Sequence, residues 1–493
     1  MKYILAIDQS TSATKAILFD ARGGLVDKTS VSHQQHYPRP GWVEHDAEEI
    51  FANTLAAIRQ LVDHIGPKVA DIGLVSITNQ RETFVVFDRK TGRPLHRAIV
   101  WQCRRGDPIC TRLRRAGHED GIRRLTGLKI DSYFPASKIC WLLEDQPEIA
   151  AELEAGRAAV GTIDAYLVHR LTGGKVFATD QTNASRTLLF DIAKMRWDEG
   201  LCELFGVPMG ALPEVRDSDA RFGATDAAGA LGREIPICGV MGDSQAALFA
   251  QRCFDPGSAK VTFGTGSSIL LNIGPSIRIS AGGGVTTVAW VVAGRAVYAL
   301  EGIINCTGAT VAWLKDQLQL IADPAETETL ARQLPDNGGV YLVPAFVGLG
   351  APHWKADARA AIVGLTQHST KAHVARATLE SIAYQIKDAL DDMAAQAGTT
   401  LDAIRGDGGM TANRFLMQFV ADTLRIPVVA SSVAELSALG AALAGAVGMG
   451  RYKGLEDLAK LDLGNVEYRP AMDAATAAAN YQGWQRAVQR VLL

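Results

Sequence analysis

ILAIDQSTSATKAILFD (residues 4–20) and AKVTFGTGSSILLNI (residues 259–273) decide the reading of this chain. In each, an apolar β-rich run breaks at Ser, Thr and Gly and resumes as a second apolar run. That pattern predicts a hairpin whose tip offers backbone N–H groups and hydroxyls. Such tips can cradle phosphate. One tip by itself reads as an ordinary hairpin turn. Two of them, one in each half of the chain, read as two like-built domains gripping a polyanionic ligand between them.

Outward from the first tip the pattern continues through a turn at residues 21–24 and a strand to a helix beginning at Asp46. Glu49, three residues on, completes a capping-box spacing, and Ile50, Leu55, Ile58, Leu61, Val62 and Ile65 share one face. Gly66-Pro67 ends that helix, and DIGLVSITN (71–79) is the next strand. Outward from the second tip, strands are predicted over 288–294 and 296–302, then a helical stretch to about Leu320 and a long helix near 373–396. IRGDGGM (404–410) reads as a strand entering a glycine turn, with a helix over 412–424 after it. SALGAALAGAVGMG (437–450) is a helix so rich in Ala and Gly that it must pack tightly. A β-meander followed by α/β alternation, duplicated, is the order of the two-domain actin-like ATPase (ribonuclease H-like) fold, an α/β class with an interdomain catalytic cleft. The expected boundary near Phe249–Asp255 divides 1–250 from 251–493.

A length of 493 residues fits two large domains, and a 47% apolar fraction supplies their cores. A net charge of −3 offers no basic field for nucleic acid or anionic lipid, which leaves a small molecule as the expected partner. The 7 cysteines show no CxxC or Cys/His spacing and read as reduced core thiols. The apolar run in residues 1–8 is too short for a signal peptide, and no tract reads as a membrane span, so a cytoplasmic protein is expected.

Further segments carry a family resemblance: PRPGWVEHD (38–46), TNQRET (78–83), IVWQCRR (99–105), TNASRTLLFD (182–191), VPAFVGLGAPHW (343–354) and DGGMTANRFLMQF (407–419). YFPASKICWLLED (133–145) and AIVGLTQHSTKAHVARATLE (361–380) resemble the two family signatures. Over essentially its whole length the chain resembles the FGGY family of carbohydrate kinases, and within it the branch whose acceptor is glycerol. The resemblance implies transfer of phosphoryl from ATP to a terminal hydroxyl of a small polyol, and a homodimer or homotetramer.

Such a transfer needs a phosphate cradle, Mg²⁺, a base for the acceptor hydroxyl and exclusion of water. The resemblance assigns the cradle to Thr11, Ser12, Thr14 and Lys15 in the first tip and to Gly264 and Thr265 in the second. Lys15 stands where the family usually has Arg, keeping the charge but not the bidentate geometry. Asp8 would help hold Mg²⁺, directly or through water; on local sequence it is equally a turn-capping Asp. Asp243, in GVMGDSQAALFA (239–250), matches the general base, while its surroundings also suit a helix N-cap. Arg81, Glu82 and Tyr133 match the groups that hydrogen-bond the polyol, Trp101 an aromatic packed on its carbon skeleton, and Ser244 a further pocket residue. Without that context Arg81-Glu82 would read as a solvated turn and the two aromatics as core. Gly308, Gly408, Gly409 and Asn413 match positions around ADP, although Gly308 also reads as a helix-packing residue.

The chain departs from the family pattern at the acceptor pocket. Ser244 replaces a usual Gln, and Ser268 a usual aromatic, so a roomier and wetter pocket is expected, with space for another hydroxymethyl unit. Erythritol or threitol is therefore the alternative acceptor. Ser10, Ala13 and Ala312 also differ from the family near the nucleotide. A non-catalytic actin-fold sensor or scaffold is the remaining reading, and the retained acceptor residues argue against it.

Overall fold

In the computed structural model, which describes residues 2–280, 282, 284–350, 352, 353, 355 and 357–493, strand β1 (Tyr3–Gln9) is buried along nearly its whole length. Its apolar residues divide by parity: Leu5 and Ile7 enter one core, Ile4 and Ala6 another. Successive strand side chains point to opposite faces, so a strand apolar on both faces needs cover on both. The hairpin partner β2 (Ala13–Asp20) splits the same way, Ala16 and Leu18 against Ile17 and Phe19. Strand β3 (Leu25–Ser32) forms the outer edge.

Helix α1 (Ala47–Ile65) covers the first face with Ile50, Ile58, Leu61 and Ile65. Asp46 caps it, accepting from the N–H groups of Glu48 and Glu49 at 2.9 and 3.3 Å. The expected capping box is only half made, because the Glu49 carboxylate accepts instead from the Gln34 N–H, brought beside it by the preceding loop. Strand β4 (Ile72–Asn79) runs parallel to β1. Helix α2 (Pro135–Asp145) belongs to a lobe with its own core, where Ile139 and Leu142 meet Phe84, Val86 and Ile99 of a five-stranded sheet. Strands β5 (Arg221–Thr225) and β6 (Ile235–Gly242) complete the first main sheet, of order β5-β6-β4-β1-β2-β3, and α3 (Asp243–Ala250) follows β6 directly.

The second half repeats the plan with β7 (Ser258–Phe263), β8 (Ser267–Gly274), β9 (Val285–Val292), β10 (Arg295–Ile304), α4 (Gly308–Asp316) and α5 (Lys371–Ala397). It continues through β11 (Ala403–Asp407), α6 (Arg414–Leu424), β12 (Val428–Ala430), α7 (Leu436–Gly448), β13 (Val466–Tyr468) and α8 (Ala474–Leu492). Its seven-stranded sheet has the order β9-β10-β8-β7-β11-β12-β13. Leu379, Ile382, Ile386, Leu390 and Met393 of α5 pack on Ala259, Val261 and Phe263 of β7, the face the sequence predicts.

Helix α7 packs as tightly as its composition requires, but against the other half of the chain. A Cβ at Gly440 would overlap the carbonyl oxygen of Ala246 in α3, and one at Gly445 that of Cys238 in β6. Leu439 and Leu443 of α7 join Ile4 and Phe19 of the first sheet and Leu270 and Trp290 of the second in one core. The two halves thus meet through buried apolar contact beneath the cleft. All seven cysteines are buried free thiols, as expected. Among the described residues no helix is long and apolar enough to cross a membrane.

Candidate active site

Parallel register aligns the carboxyl ends of β1, β4 and β6: Thr78 lies opposite Asp8 on one side and Met241 on the other, and Asn79 opposite Gly242. Asp8, the Arg81-Glu82 pair and Asp243 therefore emerge along one sheet edge, where ligands of open α/β sheets bind. Three cavities follow one another from there across to the second half.

The first, of ≈ 290 Å³, is lined by Arg81, Glu82, Trp101, Tyr133, Asp243 and Ser244, joined by Thr11, Ser268, Glu301 and Ile303. All six residues expected around the acceptor meet here. Asp243 is the first residue of α3, with Gly242 in the cap position, so its side chain is not the N-cap that local sequence allowed. Its Oδ1 accepts from the Ser244 N–H at 2.6 Å and lies 3.2 Å from Arg81 Nε. Arg81 is buried and donates through its terminal nitrogens to Glu301 at 2.7 and 3.3 Å and to Gln245 at 3.2 Å. Arg186 in turn reaches Glu82 and Glu301, each at 2.6 Å. Burial alone would raise the Glu301 carboxyl; Arg186 and Arg81 outweigh it and hold the group down at about 2. Burial dominates at Glu82 and pushes its carboxyl up. Glu82 also has φ +62°, unusual for a non-glycine residue, held by a Thr83 N–H to Arg81 carbonyl bond of 2.8 Å.

Trp101 and Tyr133 meet edge to face at 5.4 Å between ring centroids, and Trp101 Nε1 donates to Thr11 Oγ1 at 3.1 Å. Beneath them Lys138 of α2, fully buried, donates to the carbonyls of Ser132 at 2.6 Å and Tyr133 at 2.8 Å. Burial pushes this ammonium down to about 8. Ser268 Oγ is buried with no hydrogen-bond partner among the described residues. Its cross-strand neighbour, Ile303, is 52% exposed and lines the same cavity, taking back part of the room that the missing aromatic ring leaves.

Asp243, Ser244 and Ser268 also line the second cavity, of ≈ 650 Å³, whose far side carries Asp407, Gly408 and Gly409. Gly408 has φ +95°, and a Cβ there would come within 2.5 Å of the Phe263 carbonyl oxygen. Gly409 continues into the third cavity, of ≈ 510 Å³, with Gly264, Thr265, Gly308, Ala312 and Asn413. Gly308 donates its N–H to the Gly264 carbonyl at 3.0 Å, and Asn413 caps α6 through a 2.9 Å bond from the Leu416 N–H. Every second-half residue expected near the nucleotide thus stands on one continuous wall.

The first tip is arranged differently. Thr11 lines the acceptor cavity, whereas Ser12, Thr14 and Lys15 stand on none of these three walls. Thr14 Oγ1 is buried without a partner among the described residues. Lys15 donates to Glu435 at 2.7 Å and lies 3.8 Å from Asp8; Lys28 holds the other Glu435 oxygen at 2.9 Å. Burial pushes the Asp8 carboxyl up to about 7, against the pull of Lys15. Ala351 and Trp354 of the 343–354 segment lie outside the described residues.

Sequence reasoning missed Glu301, Arg186, Lys138 and Glu435. Two of these sit inside quoted motifs, Arg186 in TNASRTLLFD and Lys138 in YFPASKICWLLED. Glu301 falls in a segment that reads only as a strand, and Glu435 just before a helix, with no local sign of burial.

Comparison with known proteins places these features in a family. Residues 3–250 match the N-terminal domain, and residues 259–449 the C-terminal domain, of the FGGY family of carbohydrate kinases. The chain is 49% identical over 490 residues to glycerol kinase 1 of Thermotoga maritima, with 99% of each chain covered. It is 48% identical to a glycerol kinase of Symbiobacterium thermophilum, with 99% of this chain and 98% of the relative covered. The crystal structure of Plasmodium falciparum glycerol kinase with ADP superposes with a TM-score of 0.95 at 36% identity, covering 100% of this chain and 99% of that one. A xylulose kinase from Lactobacillus acidophilus, at 24% identity and TM-score 0.85 over 98% of this chain and 96% of its own, shares the fold. The chain belongs to the FGGY family of carbohydrate kinases.

Proposed function

We propose that the chain is an ATP-dependent, glycerol kinase-like enzyme that phosphorylates a terminal hydroxyl of a small polyol. The observation that carries this reading is the position of Asp243, on the wall shared by the acceptor cavity and the ≈ 650 Å³ cavity. In this reading residues 1–250 form the acceptor-binding domain and residues 251–493 the adenosine-binding domain.

Asp243 is the general base. Its Oδ1 is occupied by Arg81 and the Ser244 N–H, which leaves Oδ2 to take the acceptor proton as that oxygen attacks the γ-phosphorus. Arg81, locked by Glu301 and Gln245, and Glu82, locked by Arg186, offer fixed donor and acceptor groups to neighbouring hydroxyls. Burial raises the Tyr133 phenol far above its ordinary range, so it stays a neutral hydrogen-bonding group. Trp101 packs against the carbon skeleton. The phosphates are assigned to Thr11, Ser12, Thr14 and Lys15 on one side, which requires Lys15 to leave Glu435, and to Gly264 and Thr265 on the other; Gly308, Gly408, Gly409 and Asn413 are assigned to the adenosine.

The residues present fit Mg²⁺. Asp8 is a buried carboxylate whose desolvation is only partly offset by Lys15, and a divalent cation would favour its charged form. When bound with ATP, Mg²⁺ needs only one or two protein carboxylates and neutralises phosphate charge. A cytoplasmic homodimer or homotetramer is the accompanying expectation; light scattering after size exclusion reads the assembly state.

Ser268 favours a second reading of the acceptor. Its buried, unpartnered hydroxyl faces the cavity, and a four-carbon polyol, erythritol or threitol, would satisfy it. A coupled ATP-consumption screen over glycerol, the two tetritols, pentitols and ketoses tests both. Turnover with glycerol is expected, with a tetritol matching or exceeding it in kcat/KM. Micromolar KM for glycerol with tetritols ignored would leave glycerol as the acceptor. No acceptor-dependent ADP from any polyol would overturn the kinase reading.

A further inference from the structure

Lys260 lies in the middle of β7, where Ala259, Val261 and Phe263 alternate into the core of the second half. By parity Lys260 and Thr262 face the cleft, and both line the ≈ 650 Å³ cavity. Lys260 is 2% exposed, and its ammonium makes no direct hydrogen bond or ion pair among the described residues, although its charge is felt by the Glu301 carboxylate. A buried ammonium with no direct hydrogen-bond partner is expensive, and Glu301 is already engaged by Arg81 and Arg186. Its surroundings add to that cost: the parallel register sets Arg405, another cation, opposite it on β11. Asp407 lines the same cavity but is engaged by Gln251 Nε2, and Gln251 Oε1 is buried without a partner.

The cavity that Lys260 floors joins the acceptor cavity through Asp243, Ser244 and Ser268, and the ≈ 510 Å³ cavity through Gly409 and Ala412. A ligand occupying both ends must lay its middle across this lysine, and the middle of a nucleoside triphosphate poised over an acceptor is its polyphosphate. We infer that Lys260 is a phosphate-binding residue that places its ammonium on the β- and γ-phosphoryl oxygens from the second half of the chain. The inference rests on the kinase reading and deepens it. In the transfer, the acceptor oxygen bonds to the γ-phosphorus, the bond from that phosphorus to the β,γ-bridging oxygen breaks, and ADP leaves with the electron pair. Asp243 takes the acceptor proton. Lys260 gives up no proton and supplies fixed positive charge, partly replacing the bidentate grip that Lys15 lacks.

Calorimetric binding of adenosine, ADP and a non-hydrolysable ATP analogue to the wild type, Lys260→Met and Lys260→Arg tests this. Lys260→Met should lose about 10- to 100-fold in affinity for the analogue, less for ADP and nothing for adenosine. Its kcat should fall, and Lys260→Arg should recover part of both losses. Because Met removes an unpaired buried charge, the melting temperature of the ligand-free variant should rise, while the shift produced by the analogue should shrink. A Lys260→Met chain that is less stable or does not fold would give the lysine a structural role and overturn the inference. So would equal losses for adenosine and the analogue, or unchanged binding. A wild type that binds no analogue would instead overturn the kinase reading itself.

Discussion

The two ends of the cleft, assigned in the kinase reading to the acceptor and to the nucleotide, are built by different physics. At the acceptor end Arg81, Glu82, Arg186 and Glu301 alternate in charge within a fully buried ring that fixes donors and acceptors before any ligand arrives. At the other end glycines and short side chains such as Gly264, Thr265, Gly308, Ala312 and Gly409 make much of the wall, with Lys315, Asp316 and Glu328 as its charged groups. Small hydroxylated acceptors differ from one another by single groups, so selecting among them needs rigid, desolvated polar partners. Polyphosphate offers so much charge that close backbone approach and a few cations suffice.

Asp243 stands where the two ends meet, and the largest effect is expected there. Asp243→Asn should lower kcat by about 10²–10⁴-fold while leaving nucleotide affinity nearly unchanged. Single-turnover rates with calorimetry check it, and a loss under about tenfold would place the base elsewhere. Next comes the ring itself. Glu301→Gln leaves Arg81 and Arg186 short of negative charge, at a cost of up to about 3–5 kcal/mol. Thermal unfolding should show that loss and the KM for the polyol should climb, with ATP affinity held. If ATP affinity fell in step, the ends would not be independent.

A third change acts on fit. Ser268→Phe should shift kcat/KM towards glycerol over a tetritol by roughly 10–200-fold, the range for filling or emptying apolar pocket space. No shift would mean that Ile303 already closes the gap. The smallest effect belongs to the first tip, where Glu435 holds Lys15 and, in the kinase reading, would compete with phosphate for it. Glu435→Gln should raise ATP affinity roughly 2- to 5-fold, the scale of a partly exposed ion pair. An unchanged KM for ATP would show that Lys15 does not meet phosphate, and the nucleotide would then be held from the second half alone.

Strand parity made the cores legible. Apolar runs such as YILAIDQ and the heptad-like face of α5 pack where their periodicity places them. The six expected acceptor residues converge because most follow the ends of neighbouring parallel strands, and register brings such ends together. The half-made capping box at Glu49 marks where local pattern stops being enough, since a competing N–H from Gln34 arrives from the loop that precedes the helix, 15 residues upstream. The tight helix at α7 is similar: its small residues require a close partner, but only the assembled chain puts α3 and β6 of the other half against it.

By itself the sequence determined the duplicated α/β plan and the two tips, which follow from period and turn chemistry, while the family resemblance of its motifs singled out six side chains that line one cavity. Only the tertiary structure decided which charges leave water. Glu301, Arg186, Glu435 and Lys260 read as ordinary charged residues along the chain, and become a locked ring, a hold on Lys15 and a buried cation on the cleft floor. A charge acquires its function from desolvation and from partners distant in sequence, and neither is written in the residues beside it.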